Sequence, residues 1–296
     1  MLLELKNIRK SFPAPRGIFE KLHGQVKAVD RVSLSIAKGE NLALIGESGC
    51  GKTTLGRIVL KLLSAESGSI VFEGKDITRF SRRQMRPIRK DIQMVFQDPY
   101  SSLDPRFTVR DIIREAMIFD NKRNRQAKEE RVKELLAFVQ LPPDILERYP
   151  HEFSGGERQR IAIARALASG PKLLILDEAV SSLDVLVQEQ IIHLLLQLQK
   201  KLDVTYLFIS HNFRIVKKIS AKIAVMYKGR ILEMAPSQEI FQNPGHPYTK
   251  ELLSAAIQYK VSNRLKEIVL SENSQLIDRG NGHFVIEDTT YGAKTT

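Results

Sequence analysis

The segment Gly46-Glu47-Ser48-Gly49-Cys50-Gly51-Lys52-Thr53 restricts the possible folds more than any other part of this chain. It follows a short apolar run, Asn41 to Ile45, and opens a helix-type stretch from Thr54 to Leu63. The pattern G-x-x-x-x-G-K-[ST], set between a strand and a helix, builds a cradle for phosphate. Glycines let the backbone turn so that successive N–H groups point into one concavity, and the helix start adds partial positive charge. Lys52 can reach β- and γ-phosphates, and the Thr53 hydroxyl can sit on Mg²⁺. Gly46 to Thr54 is therefore the expected nucleotide site. Cys50 reads as a small spacer in this loop, with a redox thiol as the alternative that exposure and a low pKa would support.

Such a loop belongs in a sheet, and the remaining sequence supplies one. Leu2 to Ile8 and Val32 to Ile36 alternate apolar and polar residues as half-buried strands do. Ile70 to Phe72 is a further strand closed by Gly74. From Asp98 to about Ser169 the pattern turns helical: Val132, Leu135, Leu136 and Val139 share one helix face, and Pro142-Pro143 stops that helix. Short apolar strands then alternate with helices, at Leu173 to Leu176, Thr205 to Ile209 and Ile223 to Tyr227. This alternation predicts a buried parallel sheet flanked by helices, an α/β fold. Lys228-Gly229 predicts a hairpin turn. After about Ala256 the chain is polar and less periodic, and Gly280, Gly282 and the last five residues read as loop and frayed end.

Composition excludes several classes. Hydrophobic residues are 43% and charged residues 27% of 296, ordinary values for a globular chain. With Cys50 as the single cysteine, neither an internal disulfide nor a multi-cysteine metal or iron–sulfur site can form. Charges fall too early for a signal peptide, and no apolar run approaches the roughly 18 residues of a spanning helix. A soluble protein of a reducing compartment is expected. The formal charge of +12 points to an anionic partner without naming it. Its clusters, Arg79 to Lys90 and Lys122 to Lys133, read as solvated helix faces, with proximity to anionic membrane and nucleic-acid binding as alternatives.

Two further segments carry chemistry. Leu173 to Leu176 ends in Asp177-Glu178. After a phosphate loop, Asp177 is the expected Mg²⁺ ligand and Glu178 the expected general base for an attacking water. Ser154-Gly155-Gly156-Glu157 precedes an Ala-rich helix with capping-box spacing. Two glycines are poor residues for a plain helix start, but they let a phosphate approach the backbone. A well-capped helix and a second anion site both remain open.

Phosphate loop, Ser-Gly-Gly segment and Asp-Glu strand together resemble the ATP-binding cassette (ABC) ATPases, over roughly residues 1 to 255. In that resemblance Ser154 to Glu157 is the signature motif, Gln97 the Q-loop glutamine and Ser182-Leu183-Asp184 the D-loop. His211 is the switch histidine, and Phe12 the aromatic that stacks on adenine, with a plain core phenylalanine as its alternative. The resemblance implies a RecA-like P-loop NTPase core, an N-terminal antiparallel β subdomain and an inserted helical subdomain at about 98–170. It implies ATP and Mg²⁺ as ligands, with Gln97 beside Thr53 and Asp177 at the metal, and Lys52, Gln97, Glu178 and His211 in catalysis. It also implies that Ser154 to Glu157 acts on ATP held by a second subunit.

Ala179-Val180 after the Asp-Glu pair, Asp98 to Pro105 after Gln97, and Asn243-Pro244-Gly245-His246-Pro247-Tyr248-Thr249 are similar to the second ATPase of dipeptide/oligopeptide permeases. Residues 256–296 then resemble a short C-terminal extension of that type. Gly282-His283-Phe284-Val285 matches its end motif, while the cysteine cluster of many members is missing. The implied function is the ATP-hydrolysing subunit of a peptide importer at the cytoplasmic face of the membrane, with nickel or metal-chelate import as the alternative. Implied partners are a paralogous ATPase or second copy, two transmembrane permease subunits and, through them, a solute-binding protein. A non-transport cassette acting on nucleic acid or ribosomes is the more remote reading, and no direct nucleic-acid contact is expected. The His-Pro-Tyr-Thr segment has no catalytic rationale and reads as a turn and helix start near Thr249.

Overall fold

The computed structural model describes residues 1–13, 24–118, 124–258, 267–271, 274–287 and 289–292. Strands β1 (Leu3–Pro13) and β2 (Gln25–Ile36) pair antiparallel. Both extend beyond the stretches that alternate in the sequence. The ladder carries register shifts between Leu5 and Ile8, Ile8 and Lys10, and Lys10 and Ser11, and Asn7 and Arg31 take positive φ. Each bulge resets which face a side chain points to, so the period of two disappears while the strand continues.

Strand β3 (Asn41–Ile45) is buried throughout and runs into the glycine-rich loop. Helix α1 (Lys52–Val59) follows, starting at Lys52 because Gly51 caps it at φ 111°. The helix stops short of Leu63: Lys61 takes φ 55° and turns the chain out. Strand β4 (Ser67–Phe72) returns to β1, and β5 (Lys75–Asp76) completes an antiparallel sheet of order β2-β1-β4-β5.

The helical region begins with α2 (Arg82–Arg89), held by a Ser81–Gln84 capping box, and β6 (Ile92–Val95). It continues with α3 (Pro99–Ser102), α4 (Val109–Glu115) and α5 (Arg125–Phe138). Two 3₁₀ turns, Pro143–Glu147 and Pro150–Glu152, lead into α6 (Gly155–Leu167). Val132, Leu135 and Leu136 of α5 are buried in one core with Ile112, Ile113, Ile161 and Ile163. The two basic clusters differ. On α5, Arg131 pairs with Glu134, and Glu129 pairs with Arg110 and Arg114 of α4. On α2, Arg82, Arg83, Arg86 and Arg89 are exposed while Met85 and Ile88 face inward. Lys122 and Arg123 lie outside the described residues.

Strand β7 (Leu173–Asp177), α7 (Val185–Leu202), β8 (Thr205–Ser210), α8 (Phe213–Ile219) and β9 (Lys222–Tyr227) supply the expected alternation. Lys228 and Gly229, at φ 42° and 84°, turn β9 into the antiparallel β10 (Arg230–Pro236), the two-residue geometry that follows strand twist. Then come α9 (Ser237–Gln242), α10 (Pro247–Gln258), β11 (Glu267–Leu270), β12 (Leu276–Asp278), β13 (Phe284–Ile286) and β14 (Thr289–Gly292).

The large sheet has the order β12-β13-β10-β9-β3-β8-β7-β6. From β9 to β6 it is parallel, and its other side is antiparallel. This is the α/β architecture with a separate antiparallel β sheet and inserted helices that the sequence predicts. In the tail, Gly280 and Gly282 are loop as expected, but the residues around them form strands. Gly280 and Gly282 form the turn of a hairpin, β12–β13, which extends the main sheet beside β10. Strands of three residues are too short to show alternation. Gly292 ends β14, and residues 293–296 lie outside the described residues. Among the described residues, no helix is long and apolar enough to cross a membrane.

Candidate functional site

The C-terminal ends of the parallel strands place the site. Loop 46–51 leaves β3, the Asp177-Glu178 pair ends β7, His211 follows β8, and Gln97 follows β6. The loop is tightly packed. A Cβ on Gly46 would fall 2.1 Å from the Met226 carbonyl oxygen, and one on Gly51 would fall 2.0 Å from that of Ala28, so both positions need glycine. Gly49 has open space around it, and Glu47, Ser48 and Gly49 are exposed. Cys50 is buried against Gly46, and burial raises its thiol pKa above the usual value. That environment suits a spacer and disfavours a reactive thiolate.

Lys52 is 4% exposed and donates to the carbonyls of Gly46 and Glu47, each at 2.8 Å. Its ammonium therefore stands at the mouth of the loop. Thr53 donates its hydroxyl to Asp177 Oδ1 at 2.9 Å, and Thr54 follows on α1. Burial pushes the Asp177 carboxyl above the usual carboxylate range, against the Thr53 hydrogen bond that favours its ionised form. Among the described residues, no group of three or more His, Cys, Asp or Glu could hold a metal. The fitting cation is one that accepts a hydroxyl, a single carboxylate and oxygens from the ligand itself, as Mg²⁺ does.

Glu178 takes φ 48°, and its N–H donates to the Ile209 carbonyl at 2.9 Å. In this left-handed turn the carboxylate is largely buried, and its Oε1 lies 3.3 Å from Nδ1 of the more exposed His211. Gly46, Glu47, Ser48, Gln97, Glu178 and His211 line one cleft of about 570 Å³, whose wall is completed by Phe213, Leu252 and Ala255. Those three apolar residues carry no motif. The one signal for the wall from α10 was the Asn243 to Thr249 segment, which runs into its first turn.

Ser154 to Glu157 does not line this cleft. Ser154 and Gly155 are exposed, and Ser154 and Glu157 complete a capping box, with Glu157 Oε2 accepting the Ser154 N–H and hydroxyl at 2.8 Å each. Those bonds hold the Glu157 carboxyl below its usual pKa. Gly156 also has a packing reason: a Cβ there would meet Val187 Cγ1 at 2.6 Å. Asp184 caps α7 by accepting the Val187 N–H at 3.0 Å, so the two helix starts adjoin each other. Phe12, on β1, is not among the residues that line this cleft; it is 36% exposed, with Lys10 Nζ 5.4 Å from its ring centre.

The family model described as "ABC transporter" matches residues 29–181, more than half the chain. The oligopeptide transport ATP-binding protein AppF of Bacillus subtilis is 50% identical over 255 residues, covering 86% of this chain and 78% of that protein. The chain belongs to the ABC transporter family. A second model, "Oligopeptide/dipeptide transporter, C-terminal region", matches residues 232–281, which include Gly245 to Thr249 of this cassette. The glutathione import ATP-binding protein GsiA of Pectobacterium atrosepticum is 44% identical over 99% of the chain. The cassette spans 49% of that relative's length. Among solved structures, the dimeric ATP-binding cassette MJ0796 with ADP and Pi matches at TM-score 0.70 and 26% identity. It covers 79% of this cassette and 98% of that chain.

Proposed function

We propose that this cassette hydrolyses ATP to drive an importer of oligopeptides or dipeptides across the cytoplasmic membrane. The observation that carries the reading is the meeting, at the ends of the parallel strands, of Lys52 and the Thr53–Asp177 pair with a cleft lined by Gly46 to Ser48, Gln97, Glu178 and His211. The peptide class rests on the 232–281 match and on the relative AppF. GsiA favours a second reading, import of the tripeptide glutathione.

In the proposed mechanism, the loop N–H groups and Lys52 hold the β- and γ-phosphates, Lys52 exchanging its two carbonyl acceptors for phosphate oxygen. Thr53 and Asp177 would hold Mg²⁺, with Gln97 facing the same cleft; when bound, Mg²⁺ neutralises charge on the phosphates. Glu178 takes a proton from water as the water oxygen bonds to the γ-phosphorus and the bond to the β–γ bridging oxygen breaks. His211, beside Glu178, donates to the charge developing on the γ-phosphate.

Ser154 to Glu157 and Asp184 are assigned to the ATP site of a second subunit, a paralogue or another copy of this chain. Supporting this, the two helix starts adjoin on the surface, next to Val185 and Leu186, which are 71% and 73% exposed. Large apolar side chains so exposed at a polar site suit burial by a partner. Permease subunits would supply the membrane anchorage, and through them a solute-binding protein the selectivity. Phe12 is assigned to the adenine end. Purified protein with MgATP tests the core of this reading: wild type should release phosphate, and Lys52→Ala should lose ATP binding. Failure of the wild type to bind or hydrolyse ATP contradicts it.

A further inference from the structure

The chemistry above leaves the His-Pro-Tyr-Thr segment without a role, yet Glu233, His246, Tyr248 and Thr249 are all 0% exposed. A buried carboxylate persists only where donors meet its charge. The Glu233 carboxylate on β10 accepts the N–H groups of Gly245 at 2.7 Å and His246 at 2.9 Å, and His283 Nε2 lies 2.7 Å from Oε1. Two of these partners begin α10, and the third belongs to the β12–β13 hairpin. One side chain thus fastens the C-terminal hairpin to the helix. Gly245 is required by the closeness of this joint, because a Cβ would come 2.7 Å from Val285 Cγ2 and 3.2 Å from His283 Nε2.

His246 then caps α10, its Nδ1 accepting the Tyr248 N–H at 3.0 Å. Burial pushes the His246 imidazole down to about 4, so the ring is neutral near pH 7 and carries its proton on Nε2. Tyr248 packs on Tyr227, ring centres 4.8 Å apart, at the end of β9. Its hydroxyl is buried beside the Glu47 backbone N–H, with Cys50 nearby, and has no well-formed hydrogen bond of its own. Leu252 and Ala255, four and seven residues further along α10, line the same cleft as Gly46, Glu47 and Ser48. From the β9–β10 turn, Gly229 donates its N–H to the Cys50 carbonyl at 2.9 Å. The phosphate loop is therefore in contact with both the β9–β10 turn and α10.

We propose that α10 braces the phosphate loop, with Tyr248 as a positioning residue for nucleotide binding and the Glu233–His283 contact setting where the brace stands. The C-terminal hairpin is thereby coupled to ATP. The inference rests on the reading that Gly46 to Thr53 holds ATP. Physically, a cradle of N–H groups binds anions well only when it is held in shape before the ligand arrives. A coupling of this kind is reciprocal, so ATP must also steady the brace.

The test uses the full chain, MgATP binding followed by fluorescence of a labelled analogue, and thermal unfolding without nucleotide. Tyr248→Ala should weaken binding about tenfold and His283→Ala about fivefold, within the usual range of coupling between sites. The conservative Tyr248→Phe keeps the packed ring, and His283→Gln keeps a donor for Glu233, so both should restore affinity to within about twofold of wild type. Hydrogen exchange on the wild type supplies a readout independent of variant folding: a non-hydrolysable ATP analogue should slow exchange in 245–252 and 283–286. Unchanged exchange there, or folded alanine variants that bind ATP like wild type, overturns the inference. Wild type that binds no ATP at all refutes the nucleotide reading instead, as would Lys52→Ala with undiminished binding.

Discussion

Gly156→Ala separates packing from phosphate access at the start of α6. The structure puts a Cβ at this position 2.6 Å from Val187 Cγ1, a contact that real side chains avoid. Val187 is β-branched and sits in the first turn of α7, whose start Asp184 fixes, so its rotamer has little freedom to give way. Overpacking of this type costs about 1–3 kcal/mol. Alanine returns up to about 1 kcal/mol in helix propensity over glycine. The net expectation is a loss of about 1–2 kcal/mol, at the lower end because Val187 is only half-buried. Gly155 is the internal control: its Cβ would stand 3.3 Å from Leu183 Cδ2, the flexible end of a leucine. Gly155→Ala should therefore be neutral or stabilising by about 0.5 kcal/mol. Urea unfolding without nucleotide reads both, provided the slope with denaturant is unchanged. In the double variant Gly156→Ala/Val187→Ala the penalty should shrink, with a coupling of about 1 kcal/mol. If Gly156→Ala is as stable as wild type and additive with Val187→Ala, the packing argument is wrong, and only ligand approach explains that glycine.

Polar contacts carry three further expectations. Thr53→Val leaves the Asp177 carboxylate without its hydroxyl donor and should destabilise the nucleotide-free protein by about 1–3 kcal/mol at pH 7. Because burial raises the folded-state pKa of Asp177, the folded protein binds its proton more tightly than the unfolded chain does, so the deficit should narrow as pH falls toward 3.8 in urea titrations; a deficit independent of pH contradicts this. His246 behaves oppositely: its folded value near 4 lies below the ordinary 6.5, so its contribution is full above pH 6.5 and is lost as pH falls toward 4. His246→Asn keeps an acceptor for the Tyr248 N–H and should flatten that part of the stability profile, whereas an unchanged slope would assign it to other groups. Arg110 bridges Glu129 and Glu147 between α4, α5 and the following turn, and Arg110→Met should cost about 1 kcal/mol in low salt and less in 1 M salt.

The chemistry was the most legible part of the sequence, because phosphate loops and acidic strand ends need fixed residue types in contiguous strings. Lys52, Thr53, Asp177 and Glu178 were nameable from such strings, Gln97 and His211 only through the family resemblance, and the parallel strand ends bring all six to one edge. Other features depend on partners far away in sequence. Glu233 sits in the string Arg230-Ile231-Leu232-Glu233-Met234, where a carboxylate reads as solvent-facing, yet it is fully buried against His283, 50 residues on. The reason for Gly156 lies on α7, and Phe213, Leu252 and Ala255 enter the cleft wall as ordinary apolar residues. The lengths of β1 and β2 were hidden by bulges, and the β12–β13 hairpin by strands of three residues.

In the proposed mechanism Glu178 is the group that accepts a proton from water. Steady-state phosphate release by Glu178→Gln, measured beside ATP binding to the same preparation, tests this most directly. Glutamine keeps the size of the side chain and removes its basicity, so ATP should bind about as tightly as to wild type while turnover falls by about a hundredfold or more. Wild-type turnover in a variant that binds ATP normally contradicts the account.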